Sequence, residues 1–428
     1  MAPQPAFDGD LRAFRNTWGA ARMDLLKLLS RMDLSVDQAR RWYDPGQRIA
    51  ATVWSPSDSQ IVANPFTIVE NDLGGEDPAV TMGQVDRALL PDDRIAAIHP
   101  VPEPSRLQGG TDPRRIRAAL VTVLRRAETE GDSLLSVREA TSRLASLDLS
   151  SPIQIPPDWF DGDDVRYLDD VIEISTIEGD KAPIDALQLR RLGDMERSLA
   201  LTIRSRARVE PANSLNVDWS TLLRSYLKKS ERIEVPDSGR YHDAFEEQVH
   251  ALSVITSRRL TVLSGAAGTG KTTLLGALVN SDLKNDGILL LAPTGKASVR
   301  LSKKTGADAR TIASFLLSHN RYDTDRQIPI ERAPQGSVKF QSAKTVIVDE
   351  SSMLTLVDLR VLLDTLDLGF VTRIVLVGDP NQLPPIGVGR PFADICAFLI
   401  QTKSRNYEER LRHLPLRSGP RIRNDPIR

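Results

Sequence analysis

The chain has 428 residues, enough for about three domains of roughly 150 residues each. Hydrophobic residues make up 40% and charged residues 26%, an ordinary globular composition that excludes collagenous and wholly disordered chains. No apolar run is long enough for a membrane helix, and the first residues lack the pattern of a secretory signal. The single cysteine, Cys396, excludes an internal disulfide and a cysteine-rich zinc site. We therefore expect a soluble, cytoplasmic protein without a membrane partner.

The formal net charge of -1 hides a difference between the two parts of the chain. Lys and Arg counted against Asp and Glu give -10 for residues 1–250 and +9 for residues 251–428. A basic part is a mild indication of a polyanionic partner, because Lys and Arg displace counterions from phosphates. On charge alone, a solvated basic surface is an equally good interpretation.

The first clear element is a predicted helical hairpin at residues 111–148. Asp112 is placed to cap a helix that has Pro113 at its first position, apolar residues on one face and Gly131 as its stop. Ser136 and Glu139 then form the S-x-x-E pattern of a capping box before a second helix. Such a unit is more often structural than a nucleic-acid contact, and the pattern leaves both interpretations open.

An acidic stretch follows between Trp159 and Ile174 and contains five aspartates. Clustered carboxylates can bind a cation, but the spacing differs from that of an EF-hand loop. The sequence therefore favours a solvated acidic loop followed by a strand.

From about residue 241, short apolar runs alternate with helical segments. Each run has six or seven residues and ends in glycine, proline or an acidic residue, as in LTVLSG, GILLLAP, KTVIVDE and RIVLVGD. Such runs are typical of parallel strands covered on both faces. We therefore predict a doubly wound α/β sheet that binds its ligand at the carboxyl ends of the strands.

The segment GAAGTGKT directly follows the first of these runs and matches the phosphate-binding pattern G-x-x-x-x-G-K-[ST]. Its glycines let the backbone wrap around phosphate, Lys271 reaches the β and γ phosphates, and Thr272 offers a hydroxyl to Mg²⁺. ATP and Mg²⁺ are thus the expected ligands. The predicted nucleotide-binding residues of this segment are Gly265, Ala266, Ala267, Gly268, Thr269, Gly270, Lys271, Thr272 and Thr273.

Two later strand ends supply further catalytic candidates. TVIVDE places Asp349 to hold Mg²⁺ and Glu350 to deprotonate the water that attacks the γ-phosphate. The next strand leads into GDPNQLPP, where the amide of Gln382 can bond both the γ-phosphate and that water. Together with Lys271, these three side chains form the predicted catalytic set.

Four segments in this order resemble motifs I, Ia, II and III of RecD-like superfamily 1 helicases: GAAGTGKT, LAPTGKASVRL, VIVDESSML and LVGDPNQLPPIGVGRPF. The resemblance implies a RecA-like first motor domain that couples ATP hydrolysis to movement from 5′ to 3′ on single-stranded DNA. It also implies that Gln248 reads adenine and that Pro293, Thr294 and Lys296 contact DNA. Weaker similarity to the accessory region of this branch extends the resemblance to residues 60–400.

The chain also departs from the family pattern. Ala313 stands in TIASFL where the family usually has a histidine, and Asp132 and Ser133 stand where it tends to have histidine and threonine. Residues 401–428 contain seven arginines and little periodicity, which predicts a disordered basic tail. The resemblance thus predicts a motor truncated after motif III. The arginine finger would come from a second RecA-like domain, and a second chain is one candidate source of that domain.

The predicted domains follow from these elements. Residues 1–110 form an α+β accessory region, residues 111–240 a helical accessory region with the hairpin, residues 241–400 the RecA-like ATPase domain, and residues 401–428 the tail. The leading functional interpretation is an ATP-hydrolysing DNA helicase motor. The alternative is a nucleotide-controlled DNA-binding switch that never translocates. A relaxase and an ABC ATPase are disfavoured because their sequence signatures are missing, and a RecB-like nuclease because the sequence leaves no room for that domain.

Overall fold

The computed structural model describes residues 20–52, 54–156, 159–177, 182–208, 217–231, 235, 239–266, 268–404 and 413–415. The chain divides into two compact units, residues 1–193 and residues 194–428. This boundary falls inside the predicted accessory region 111–240 and within one helix, Arg190–Arg208. Among the described residues, no helix is both long and apolar enough to cross a membrane.

The first unit is built mainly from short helices. In chain order they are α1 (Ala20–Leu29), α2 (Val36–Tyr43), α3 (Pro45–Ala51), α4 (Asp58–Ala63), α5 (Thr67–Asn71), α6 (Met82–Leu89), α7 (Asp93–Ile98), α8 (Pro113–Glu130) and α9 (Val137–Leu144). Three of them begin with a capping box, at Ser35, Ser57 and Thr81. Each box satisfies helix N–H groups with side chains close in sequence, so short helices are stabilised locally.

The described part of residues 1–110, predicted as an α+β accessory region, contains helices. Its regular elements are the helices α1 to α7, and its strand-like pairing is an isolated bridge between Thr52 and Asp72. One physical reason is the S/T-x-x-Q spacing, which forms a capping box at the start of three of these seven helices.

The helical hairpin is confirmed, with one strand between its helices. The carboxylate of Asp112 accepts the backbone N–H of Arg114 at 3.0 Å, and Gly131 ends α8 at φ 103°. Ser136 caps α9 through the N–H of Glu139 at 3.1 Å. The predicted capping box is only half formed, because the Glu139 carboxylate pairs with Arg143 at 2.6 Å instead.

A three-stranded antiparallel sheet completes the first unit. Its order is β1 (Leu134–Ser136), β3 (Ile184–Leu189) and β2 (Ile172–Ile177). The acidic stretch before β2 forms 3-10 turns at Trp159–Asp161 and Asp163–Tyr167, as expected for a loop followed by a strand. Within the described residues there is no cluster of carboxylate, histidine and cysteine side chains suited to a metal ion.

The second unit is a parallel sheet flanked by helices, which confirms the predicted fold class. The sheet order is β11 (His413–Pro415), β4 (Leu260–Ser264), β10 (Arg373–Gly378), β9 (Thr345–Val348), β5 (Ile288–Ala292) and β6 (Ala309–Thr311), all pairs being parallel. Every residue of β4, β9 and β10 is buried, as the continuous apolar runs predict. A small hairpin of β7 (Tyr322–Asp323) and β8 (Ile328–Pro329) lies between β6 and β9 in sequence.

Eight helices are described from residue 190 onward. They are α10 (Arg190–Arg208), α11 (Trp219–Tyr226), α12 (Arg240–Thr256), α13 (Lys271–Val279), α14 (Gly295–Thr305), α15 (Ile312–Leu317), α16 (Leu356–Thr365) and α17 (Pro391–Ser404). The apolar faces of α11, α12 and α13 share one core with strands of the sheet. Of the predicted disordered tail, residues 401–404 end α17 and residues 413–415 form edge strand β11. The rest of the tail lies outside the described residues.

Candidate nucleotide-binding site

The phosphate-binding segment connects β4 to α13, as the motif requires. Gly268 and Gly270 adopt φ values of 82° and 84°, a left-handed conformation that favours glycine. A Cβ added to Gly270 would lie 2.7 Å from Nε2 of Gln248, so the loop and this side chain of α12 are in close contact. The predicted adenine-reading residue therefore lies against the loop. Ala267 lies outside the described residues.

Lys271 is the first residue of α13, and its side chain folds back over the loop. Its ammonium donates to the backbone carbonyls of Gly265 and Ala266, the latter at 2.9 Å. Burial lowers the pKa of Lys271 below its ordinary value, against the opposing effect of nearby carboxylates, the largest being that of Asp379. The two carbonyls thus keep the Lys271 ammonium at the loop that is predicted to bind phosphate.

Asp349 follows β9 and is 2% exposed. Its Oδ1 accepts the N–H of Glu350 at 3.0 Å, while its buried Oδ2 has no hydrogen-bond partner among the described residues. Burial and the charge of Glu350 raise the pKa of Asp349 above its ordinary value. An unpaired buried carboxylate oxygen near the hydroxyl-bearing Thr272 fits the oxygen ligands that Mg²⁺ prefers. These two residues therefore suit the predicted metal site.

Glu350 has an unusual backbone conformation for a non-glycine residue, with φ 53° and ψ 37°. Its carboxylate forms an ion pair with Arg300 of α14. The Glu350 side chain is 19% exposed, so it is reached by solvent only in part. The predicted base is therefore held by a specific partner at the site.

Gln382 lies in the loop after β10, and its Oε1 accepts the hydroxyl of Ser352 at 3.2 Å. The loop is ordered by its own contacts, because the N–H of Asn381 bonds the Asp379 carboxylate at 3.0 Å. This hydrogen bonding fixes the predicted water-orienting amide beside the segment that follows β9.

One cavity of about 280 Å³ brings most of the predicted residues together. The sequence did not predict two of its lining residues, Arg300 and Lys304. Two larger cavities in the first unit, of about 1110 Å³ and about 700 Å³, are lined by none of the predicted site residues. The small cavity is lined by Gly268, Thr269, Gly270, Lys271, Thr272, Thr273, Arg300, Lys304, Asp349, Glu350 and Gln382.

The predicted DNA-contacting residues lie at the amino end of α14, just after β5. Thr294 is the N-cap of this helix, and its hydroxyl accepts the N–H of Ala297 at 3.2 Å. Lys296 is exposed, and Pro293 is half-buried. These three residues do not line the 280 Å³ cavity, and they follow β5, the parallel neighbour of β9.

The residues missed at the site carry weak sequence signals. Arg300 and Lys304 follow Lys296 at intervals of four, so the three basic residues share one face of α14. Asp379 directly follows β10, the neighbour of β4, where an acidic side chain meets the phosphate-binding loop. The spacing of these residues indicates that they lie near the site. It does not predict that Arg300 pairs with Glu350 or that the charge of Asp379 acts on Lys271.

The chain is similar to several known proteins. Residues 244–410 match the AAA domain family. An uncharacterised protein of Methanocaldococcus jannaschii is 28% identical over 67% of this chain and 26% of that protein. The ATP-dependent RecD2 DNA helicase of Deinococcus radiodurans is 29% identical over 65% of this chain and 36% of the helicase. The RecBCD enzyme subunit RecD of Mycolicibacterium smegmatis is 34% identical over 38% of this chain and 32% of the subunit.

Residues 244–410, which match the AAA domain family, thus combine a parallel sheet with a phosphate-binding loop, the arrangement of a P-loop fold. Two of these relatives are named as RecD-type proteins, the family whose motifs I, Ia, II and III the four segments of this chain resemble. The chain spans between 26% and 36% of the length of these three relatives.

Proposed function

We propose that this chain binds MgATP and hydrolyses it as the first motor domain of a RecD-like DNA helicase. The observation that carries the proposal is the single cavity in which Lys271, Thr272, Asp349, Glu350 and Gln382 meet at the carboxyl ends of parallel strands. Phosphate, metal and water therefore have side chains of the right chemistry within one small space.

Each side chain has a distinct proposed role. The ammonium of Lys271 exchanges its loop carbonyls for the β and γ phosphates. Thr272 and Asp349 hold Mg²⁺, which when bound neutralises charge on the phosphates. Glu350 accepts a proton from the attacking water, and Gln382 orients that water. Gln248, which already lies against Gly270, contacts the adenine.

Single-stranded DNA is the proposed polymer, with movement from 5′ to 3′ by resemblance to the family. Pro293, Thr294 and Lys296 are its proposed contacts, at a strand end next to β9 and its catalytic carboxylates. Their position supports coupling between the polymer and the ATP site. The proposed location is the cytoplasm, and a second RecA-like domain, on this polypeptide or another chain, is proposed to complete the motor. Binding of a labelled single strand should weaken steeply with salt, since phosphate contacts release counterions.

The test of the ATPase proposal is Lys271→Ala. This change removes the ammonium that faces the phosphates, so ATP binding measured by calorimetry should weaken at least tenfold, and hydrolysis should fall with it. Lys344→Ala is the matched control. Lys344 lies at the amino end of β9, whereas the cavity lies at the carboxyl ends of the strands, and its ammonium pairs with Asp286. Unchanged ATP binding and turnover in Lys271→Ala would overturn the proposal.

A further inference from the structure

The side chain of Arg300 links the catalytic carboxylate to the phosphate cavity. Its guanidinium pairs with the Glu350 carboxylate and lines the same cavity as Lys271 and Thr272. Arg300 is 57% exposed in this pair, so the guanidinium has solvent access and free space around it. A partly exposed ion pair of this kind is weak and exchanges partners readily.

The helix that carries Arg300 is fixed against the phosphate-binding helix. The Tyr226 hydroxyl of α11 donates to the backbone carbonyl of Lys304 in α14 at 2.7 Å. The side-chain amide of Asn280, which follows α13, donates to the backbone carbonyl of Thr305 at 3.2 Å. A Cβ on Gly276 of α13 would collide with the Tyr226 hydroxyl at 1.9 Å, so this close packing depends on glycine. The backbone of α14 therefore has a defined position, and only the Arg300 side chain needs to move.

Charge then decides what Arg300 does when nucleotide enters. The terminal phosphate of ATP carries more negative charge than one carboxylate, and guanidinium binds phosphate oxygens in the fork geometry it uses for carboxylates. ADP lacks the terminal phosphate, so it offers Arg300 no competing partner beyond the β phosphate held by Lys271.

We propose that the Arg300 guanidinium recognises the γ-phosphate of ATP, and that without nucleotide this guanidinium forms an ion pair with the catalytic base Glu350. On ATP binding, the guanidinium leaves Glu350 for the γ-phosphate, and the freed carboxylate contacts the attacking water. On ADP binding, the pair with Glu350 persists. The inference rests on the proposed function, because it requires MgATP in this cavity.

A double-mutant cycle tests the inference through binding alone. Affinities for ADP and for a non-hydrolysable ATP analogue, each with Mg²⁺, are measured by calorimetry for the parent, Arg300→Gln, Glu350→Gln and the double variant. Arg300→Gln should weaken analogue binding about tenfold and change ADP binding less than about twofold. Glu350→Gln frees Arg300 and should strengthen analogue binding about two- to fivefold.

The double variant separates partner exchange from simple repulsion. If Glu350 acts by holding Arg300, the gain from Glu350→Gln disappears when Arg300 is absent. If Glu350 only repels phosphate, the same gain persists in the double variant and the inference is wrong. Arg300→Lys keeps the charge but not the fork and should restore only part of the analogue affinity.

The matched control is Lys303→Gln, which removes a positive charge from the same helix at an exposed position that does not line the cavity. It should leave both affinities within about twofold, since an exposed charge is screened by salt. An equal loss in Lys303→Gln and Arg300→Gln would overturn the inference. A parent chain that binds neither nucleotide contradicts the proposed function, whereas equal effects of Arg300→Gln on analogue and ADP contradict only this inference.

Discussion

At the scale of single residues, Glu350 offers the sharpest separation of binding from catalysis. Glu350→Gln keeps the shape of the side chain but cannot accept a proton from water. Hydrolysis should therefore fall on the order of 10² to 10⁴, whereas ATP still binds. Single-turnover hydrolysis with protein in excess over ATP, together with calorimetry, measures both quantities. Hydrolysis at the parental rate would show that another residue is the base.

The positions of Lys271, Asp349 and Glu350 could be predicted because each is fixed by the strand next to it in sequence. In a parallel sheet the carboxyl ends of the strands lie at the same side, so the position of a residue that follows a strand can be predicted from the sequence alone. The contact of Arg300 with Glu350 could not be predicted, since it depends on how α14 packs on α13. That packing is set by Gly276 and Tyr226, far from either partner in sequence.

At the scale of elements, the start of α8 combines a helix cap with an ion pair. Burial alone would raise the pKa of Asp112, but hydrogen bonds from the Arg114 side chain and from backbone N–H groups outweigh it and lower the pKa. Because the folded pKa lies below the ordinary value of 3.8, the stabilisation is present above that pH and is lost as the pH falls through the folded pKa.

Asp112→Asn tests this element. Asparagine still caps the helix, but it loses the charged bonds to Arg114, so the free energy of unfolding at pH 7 should fall by about 1–2 kcal/mol. Urea unfolding between pH 7 and pH 3 should show the difference from the parent shrinking at the acid end. Asp92→Asn, at the exposed N-cap of α7, is the matched control and should change little. A pH-independent difference would rule out the charged contribution.

Elements were predictable where one local pattern dominates. The hairpin followed from Asp112, Pro113 and Gly131, and each buried strand from its apolar run. The helices of residues 20–98 escaped prediction because each is only five to ten residues long and presents no long periodic face. Strand β1 was not predicted for another reason. It has only three residues, and it is recognisable as a strand only through its pairing with β3, about 50 residues later in the chain.

At the scale of the whole molecule, the two units stabilise themselves by different means. The first unit buries ion pairs, among them Arg115 with Asp86, whose side chains are both fully buried and joined at 2.6 Å. The second unit relies on a parallel sheet whose strands β4, β9 and β10 are buried at every residue. The sequence indicated two kinds of region through its charge asymmetry, but the boundary within α10 left no break in the helical pattern.

Because each unit has its own core, we expect two transitions in urea. Tryptophan fluorescence reports mainly on the first unit, since Trp219 alone of the five tryptophans lies beyond residue 193.

Asp86→Asn leaves Arg115 buried without its charge partner, so the first transition should lose about 3–5 kcal/mol. MgATP at about 100 times its dissociation constant should stabilise only the second transition, by about 2.7 kcal/mol. Circular dichroism follows both units, and calorimetric ATP binding by Asp86→Asn checks that its second unit remains folded. A single transition that shifts with both perturbations would mean that the units unfold as one cooperative body.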